Sequence, residues 1–294
     1  ISAYKKAINI LENKTYPGHL LTIPGIREPA ITEEALEMSK NRFDMFYIMD
    51  IPERGPLNQK LTGTLGGLSD EEKTAAVENT RTSFIEDPSD TTFGAAYYPD
   101  VFMPIPNLTS SLRVPPSVAV VSIYGKLSAD FKKPLGPKNP LPDGTETETK
   151  FNDEELEKFY QSGINVIQSD PNIPTAGPFI RSQETFADES SPLSKISIRR
   201  MLLEVRRKVK RVLISSYLFD QNNRSLRSSI QATIEKELSG MRSAGAFKSF
   251  SVKCDSETTS KNDIERNIVR AKVIIVPKDA SKQLILDIDS EPEG

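Results

Sequence analysis

Short, nearly continuous apolar runs punctuate the chain at 19–23 (HLLTI), 45–50 (MFYIMD), 93–98 (FGAAYY) and 163–168 (GINVIQ). Runs of this length suit strands buried on both faces, which is how the strands of a parallel sheet read. Between the first two, Thr32 offers an N-cap to a helix whose first turn carries Glu33 and Glu34 at the positive end of the macrodipole. Strand, helix, strand at this spacing implies a parallel pair joined by a crossover helix, hence an α/β sheet. His19, at the edge of the first run, reads as structural.

Helical periodicity is clearest from Ser197 to Phe219, where Leu202, Val205, Val209, Val212 and Leu213 recur at three- and four-residue steps. The remaining surface of that helix is crowded with Arg199, Arg200, Arg206, Arg207, Lys208, Lys210 and Arg211. One face packs and the other is basic, and the plain reading of such a face is solvation or local ion pairing, with an acidic protein partner as the functional one. A second helix follows from Arg224 to Met241, with Leu226, Ile230, Ile234 and Leu238 at i+4 and Asn222 or Asn223 placed as its cap. Gly245 closes it before the alternating strand Phe250, Val252, Cys254.

Elsewhere, Ile1 to Leu11 carries Tyr4, Ala7, Ile8 and Leu11 on one helical face, and Asp70 to about Glu86 and Asn152 to Gln161 read as helices. Val101 to Leu112 reads as a loop or hairpin, and Pro115 and Pro116 open a helix of small side chains through Gly125. Phe179 to Phe186 is expected as a strand or β-arm, and Thr259 to Ile268 as a turn or short helix. Two terminal strands, Val273–Val276 and Leu284–Ile288, flank Pro277, and the tail from Ser290 onward reads as disordered. Four prolines, Asp143-Gly144 and a Thr/Glu alternation mark 130–150 as a connector, so the expected domains are 1–150 and 151–294, with 129–150 as the linker.

Composition narrows the function classes. A net charge of -3 and a pI near 5.6 exclude a general nucleic-acid binder, because phosphate binding needs a sustained positive field that only the one helix offers. No apolar run approaches the roughly 20 residues of a membrane span, and the N-terminus lacks a signal peptide's charge order, which points to a soluble chain made in the cytoplasm. The single Cys254 excludes an internal disulfide, and with His19 as the single histidine a Cys/His zinc site is excluded too. An opening residue that is not methionine suggests a fragment or a processed chain.

Candidate chemistry is sparse. Gly63-Thr64-Leu65-Gly66-Gly67 lacks both a preceding strand and a following Gly-Lys-Ser/Thr, so it reads as a turn and not as a phosphate cradle. Asp70-Glu71-Glu72 and Asp153-Glu154-Glu155 fit the first turns of helices better than metal sites. A Ser or Cys nucleophile has no base within reach unless the one histidine leaves a buried strand. The expectation is therefore no enzyme, no catalytic residue, no cofactor and no metal.

The order of several segments resembles the contractile tail sheath protein of myovirus-type phages and related contractile injection systems. The segments are LLTIPGIREPAI (20–31), FYIMDIP (46–52), AAYYPDVFMP (95–104), VPPSVAVVSIYGK (114–126), GINVIQ (163–168), GPFIRSQETF (177–186), ISIRRMLLEVRRKV (196–209), FSVKCD (250–255) and KVIIVPKDASKQLILDI (272–288). Each is weak alone; their order and spacing carry the resemblance across nearly the whole chain. It departs from the family where a tryptophan and Ala-Arg-Thr are common, here Phe179 and Ile180-Arg181-Ser182, and the family's extended terminal arms and inserted outer domains are not seen.

The resemblance implies an α/β fold: a sandwich-type α/β domain with a mainly parallel sheet, plus a smaller α+β C-terminal inner domain nearest the tube. It implies a virion structural protein, found in the phage tail, that polymerises with itself by terminal strand exchange, surrounds the tail tube protein, joins the baseplate, and contracts. Neither nucleic acid nor membrane insertion is expected. Two residue sets follow as expectations: Arg199, Arg206, Arg207 and Lys210 at the tube or a neighbour, and Val273, Ile274, Ile275, Val276, Leu284, Ile285, Leu286 and Ile288 at the strand edge used between subunits. Two other readings compete: another tail or baseplate component forming a closed ring, and a carboxylate- or metal-dependent α/β hydrolase.

Overall fold

A computed structural model describes residues 1–51, 92–105, 107, 110–127, 136, 139–147, 150–170, 177–187, 191–217, 220–278 and, for their backbone, 284–289. The turn expected at 63–67, the helix expected from Asp70 to Glu86 and the tail from Ser290 lie outside these residues. The chain divides into two compact units, 1–199 and 200–294.

The first unit is built on a five-stranded sheet in the order β1-β2-β3-β7-β8. Its strands are β1 (Leu20–Thr22), β2 (Phe46–Asp50), β3 (Gly94–Tyr98), β7 (Ile164–Gln168) and β8 (Phe179–Ile180). The first four are parallel and β8 runs antiparallel to β7, which makes the class α/β with a mostly parallel main sheet. Every residue of β2, β3 and β7 is buried, as their uninterrupted apolar runs require. Helix α1 (Ser2–Glu12) packs on α2 (Pro29–Arg42), and α2 and α3 (Pro116–Lys126) both lie against β2.

Helix α2 corrects the expected cap. It begins at Pro29, preset for the first turn, with Glu28 as N-cap, whereas Thr32 is buried inside the helix and its hydroxyl bonds back to the Pro29 carbonyl. Helix α4 (Asp153–Gln161) keeps its expected start: the Asn152 side chain accepts from Glu155 N–H, while the Glu155 carboxylate accepts from Asn152 N–H. Gly163 (φ 71°) turns the chain out of α4 into β7, where a Cβ would stand 3.0 Å from the Thr185 carbonyl.

A small antiparallel sheet joins β4 (Val101–Pro104), β5 (Ser111–Val114) and β6 (Glu146–Thr147), so β4 and β5 pair as the two strands of a hairpin. Part of the proline-rich connector thereby pairs back onto β4. The two compact units part at 199/200, within α5 (Ile196–Tyr217), and β7, from beyond that connector, is hydrogen-bonded to β3.

The second unit contains the rest of α5, α6 (Arg224–Ser243), β9 (Ser249–Lys253), α7 (Lys261–Glu265), β10 (Arg270–Val276) and β11 (Leu284–Asp289). Asn223 caps α6, its side chain accepting from Leu226 N–H. The antiparallel sheet has the order β11-β10-β9, and α6 covers it, burying Ile230, Ile234 and Leu238 while Val273 and Ile275 of β10 are fully buried. Arg270, Lys272, Ile274 and Val276, on the other face of β10, are only half-buried.

Candidate assembly surfaces

The polar groups inside the first unit hold the fold together. Asp50, at the carboxyl end of β2, accepts from the Gly25 amide (2.9 Å), the Ser117 amide (2.8 Å) and the Ser117 hydroxyl (2.7 Å). It thus ties the loop after β1 and the start of α3 to the central sheet. Burial raises its pKa, against the lowering effect of those hydrogen bonds and of Arg27. An aspartate beside a serine hydroxyl has the composition of a hydrolase fragment, but both groups are committed to a helix N-terminus. Among the described residues no group of three His, Cys, Asp or Glu side chains is arranged to hold a metal ion. The Cys254 thiol is buried, which pushes its pKa up to about 11, far from that of a reactive thiolate. Asp153 and Glu155 take part in the start of α4, as their positions after Asn152 imply.

The four cations expected at a partner do not share one environment. Arg199 is buried: its guanidinium carbon lies 3.4 Å from the centroid of the Phe93 ring and 5.8 Å from that of Phe43, and those two rings meet edge to face. It is a core cation of the first unit, and that burial removes it from the expected contact surface. Its place on the apolar side of α5, three residues before Leu202, was the available signal. Arg207 is half-buried and pairs with Glu204 at 2.6 Å, Arg206 is half-buried, and Lys210 is exposed. The exposed cations of this helix are therefore Lys210 and Arg211, with half-exposed Lys208 beside them.

The expected strand edge is also redistributed. Val273, Ile274, Ile275 and Val276 lie on the central strand, paired with β9 on one side and, for Val273–Ile275, with β11 on the other. Leu284, Ile285, Leu286 and Ile288 lie on β11, whose outer edge has no strand partner among the described residues; the same is true of β9. Two edges flanking a buried centre are legible only once pairing is known, because the sequence shows strands and not their neighbours. Among the described residues no helix is long and apolar enough to cross a membrane.

Residues 188–289, a span that includes α5, α6, β9, α7, β10 and β11, match the family model described as phage tail sheath C-terminal domain. Among solved structures, the chain is similar to one from the cryo-EM structure of the anti-feeding prophage baseplate, 6-fold symmetrised: TM-score 0.69 and 18% identity, covering 98% of this chain and 73% of that one. It is similar also to a chain of the anti-feeding prophage helical sheath in its contracted state, with TM-score 0.61 and 19% identity over 99% of this chain and 71% of that one. At these identities the likeness is one of fold. No curated protein matches the chain by sequence.

Proposed function

We propose that this chain, whose residues 188–289 belong to the phage tail sheath C-terminal domain family, is a subunit of the contractile sheath of a phage tail or tail-like injection system. The observation that carries the reading is the coincidence of that family match with a fold shared, over nearly the whole chain, with the sheath of a contractile particle. On this reading the subunits polymerise around an inner tube, engage a baseplate, and on contraction drive the tube through the host envelope. The free energy is stored at assembly: nearly rigid subunits leave a metastable lattice and re-dock with larger contacts, and no nucleotide is hydrolysed at that step. The sandwich arrangement of the first domain and the tube-proximal place of 151–294 belong to the same proposal, as does synthesis in the cytoplasm of the host.

Strand exchange fits the second unit. The outer edges of β9 and β11 present backbone N–H and C=O groups that a neighbour's terminal segment can satisfy, with β10 as the strand that couples the two edges. Leu284, Ile285, Leu286 and Ile288 then serve as the linking strand, and Val273–Val276 as its support. On α5, Arg206, Arg207 and Lys210 are the cations left for the tube or an adjacent subunit once Arg199 is assigned to the core.

Electron microscopy of the protein at high concentration tests the reading. Striated tubes support it. Discrete closed rings favour a baseplate or tail-terminator role, which the likeness to a baseplate structure keeps as the second reading. Monodisperse particles at every concentration, together with metal-dependent turnover abolished by one carboxylate substitution, would replace it with the hydrolase reading.

A further inference from the structure

A cleft of about 220 Å³ opens beside α4, with Leu156 and Val166 as its apolar lining and Asp153, Glu157, Tyr160, Arg181 and Ser182 as its polar one. The cations around it are already matched. Arg181 is bound to Asp170 and stacks over Phe179, Lys195 is bound to Glu184 and reaches the Tyr160 hydroxyl at 3.2 Å, and Lys158 pairs with Glu154. Among the described residues Asp153 and Glu157 have no such partner: both are exposed, Asp153 is engaged by no side chain, and Glu157 accepts only from the Gln161 amide. They stand one helical turn apart at i,i+4, where like charges repel. The cleft thus has a mostly polar lining, with Leu156 and Val166 as its apolar part and Asp153 and Glu157 as its unmatched negative charges among the described residues.

The second unit carries the opposite imbalance. Lys208 and Arg211 stand at i,i+3 on α5 with Lys210 between them, and among the described residues none of the three is paired with a carboxylate. One turn beyond Lys210 the large apolar side chain of Ile214 is 46% exposed. This patch is cationic with one exposed apolar side chain at its end, and its charge is the complement of Asp153 and Glu157.

We propose that Lys210 and Arg211 of one copy seat in the Asp153/Glu157 cleft of the next copy, with Ile214 against the same surface. The proposal rests on the self-assembling reading above and names one contact within it. Two different patches close as a two-fold dimer only when both are engaged reciprocally between the same two copies; engaged singly, the contact is heterologous and propagates into a ring or an open helix. The basic side chains lay their stems along Leu156 and Val166 and bring their charges to the carboxylates, with the Tyr160 and Ser182 oxygens as further acceptors. The repulsion between Asp153 and Glu157, unfavourable in the free chain, is relieved in the assembly. A contact of exposed charges steers and orders association, and salt weakens it.

The test is a charge swap in the full chain, with assembly followed by light scattering and electron microscopy at low and high salt. Asp153→Lys/Glu157→Lys and Lys210→Glu/Arg211→Glu are each expected to raise the concentration needed for assembly about tenfold at low salt, and the fourfold variant to recover most of that loss. Neutral Asp153→Asn/Glu157→Gln replaces the first variant if the reversal fails to fold. Wild-type tubes with unaffected double variants, or a fourfold variant no better than either double, would overturn the contact and leave the sheath reading standing. A wild-type chain that never associates would overturn both.

Discussion

The two units solve the burial of a sheet in different ways. In the first, parallel strands are covered on both faces, and buried polar groups reach far along the chain. Asn165 donates to the carbonyls of Ala96 and Glu184 and accepts from Glu184 N–H, and the Gln168 side chain both donates to and accepts from the Phe151 backbone. Arg42, also buried, ties the Tyr16 carbonyl and the Asp44 carboxylate to the end of α2. In the second unit most side-chain hydrogen bonds are local caps and turns, such as Asn223 on Leu226, Ser260 with Asp263, and Asp255 on Glu257 and Thr258. Its three-stranded sheet keeps one half-exposed face and, among the described residues, two edges without a strand partner. Both sheets end in strands without an outer partner among the described residues, but β1 and β8 have three and two residues against five and six in β9 and β11, so the second unit offers the longer edges for joining copies.

The sharpest way to break this contrast is at Asn165. Asn165→Leu removes the buried amide that accepts from Glu184 N–H and donates to the Glu184 and Ala96 carbonyls, and is expected to cost about 4 kcal/mol, read as a loss of the denaturation midpoint. Ile275→Ala, the matching blow to the second unit, opens a cavity beside a fully buried strand position and is expected to cost about 3 kcal/mol. Hydrogen exchange should then show the β3 and β7 amides opening in the first variant and those of β9–β11 in the second. Loss of protection throughout both units in both variants would show that they are not separate cooperative bodies. Arg199→Met removes the cation from the Phe93 and Phe43 rings at an expected cost of about 2 kcal/mol. If instead it left stability unchanged and weakened assembly, Arg199 would belong to the contact surface after all.

Acid titration gives the smallest and most discriminating effect, because the two units carry carboxyl groups whose pKa values are shifted in opposite directions. Burial raises the Asp50 pKa, so above its ordinary value of 3.8 the folded chain holds a proton that the unfolded chain has released. That contribution falls as pH rises through the window up to its raised folded value. Asp263 is held down to about 2 by the Ser260 hydroxyl and amide and by Arg270, so its contribution is present above 3.8 and disappears as pH falls from there towards 2. Urea midpoints across this acid range should lose the first slope in Asp50→Asn and the second in Asp263→Asn. Unchanged slopes in both variants would mean that neither carboxylate couples to folding.

Much of this architecture is legible along the chain, because periodicity and capping are written in near neighbours. The apolar runs at 46–50 and 163–168 fix buried strands, the i,i+4 leucines and isoleucines with Asn223 fix α6, and Pro116 fixes the start of α3. Pairing is written nowhere locally. That β7 joins β3 from across the proline-rich stretch, that Glu146–Thr147 returns to β4, and that β10 sits between β9 and β11 each depend on backbone groups far apart in sequence finding one another. The same holds for charge: the basic helix shows its arginines to any reader, but whether Arg199 faces solvent or the Phe93 ring is set by the packing around it. The sequence alone determined which segments are strands and helices and which family they resemble, since both rest on short-range pattern and order. The tertiary structure decided which edges are open and which charges are left unbalanced, because those depend on what non-local contacts have already consumed.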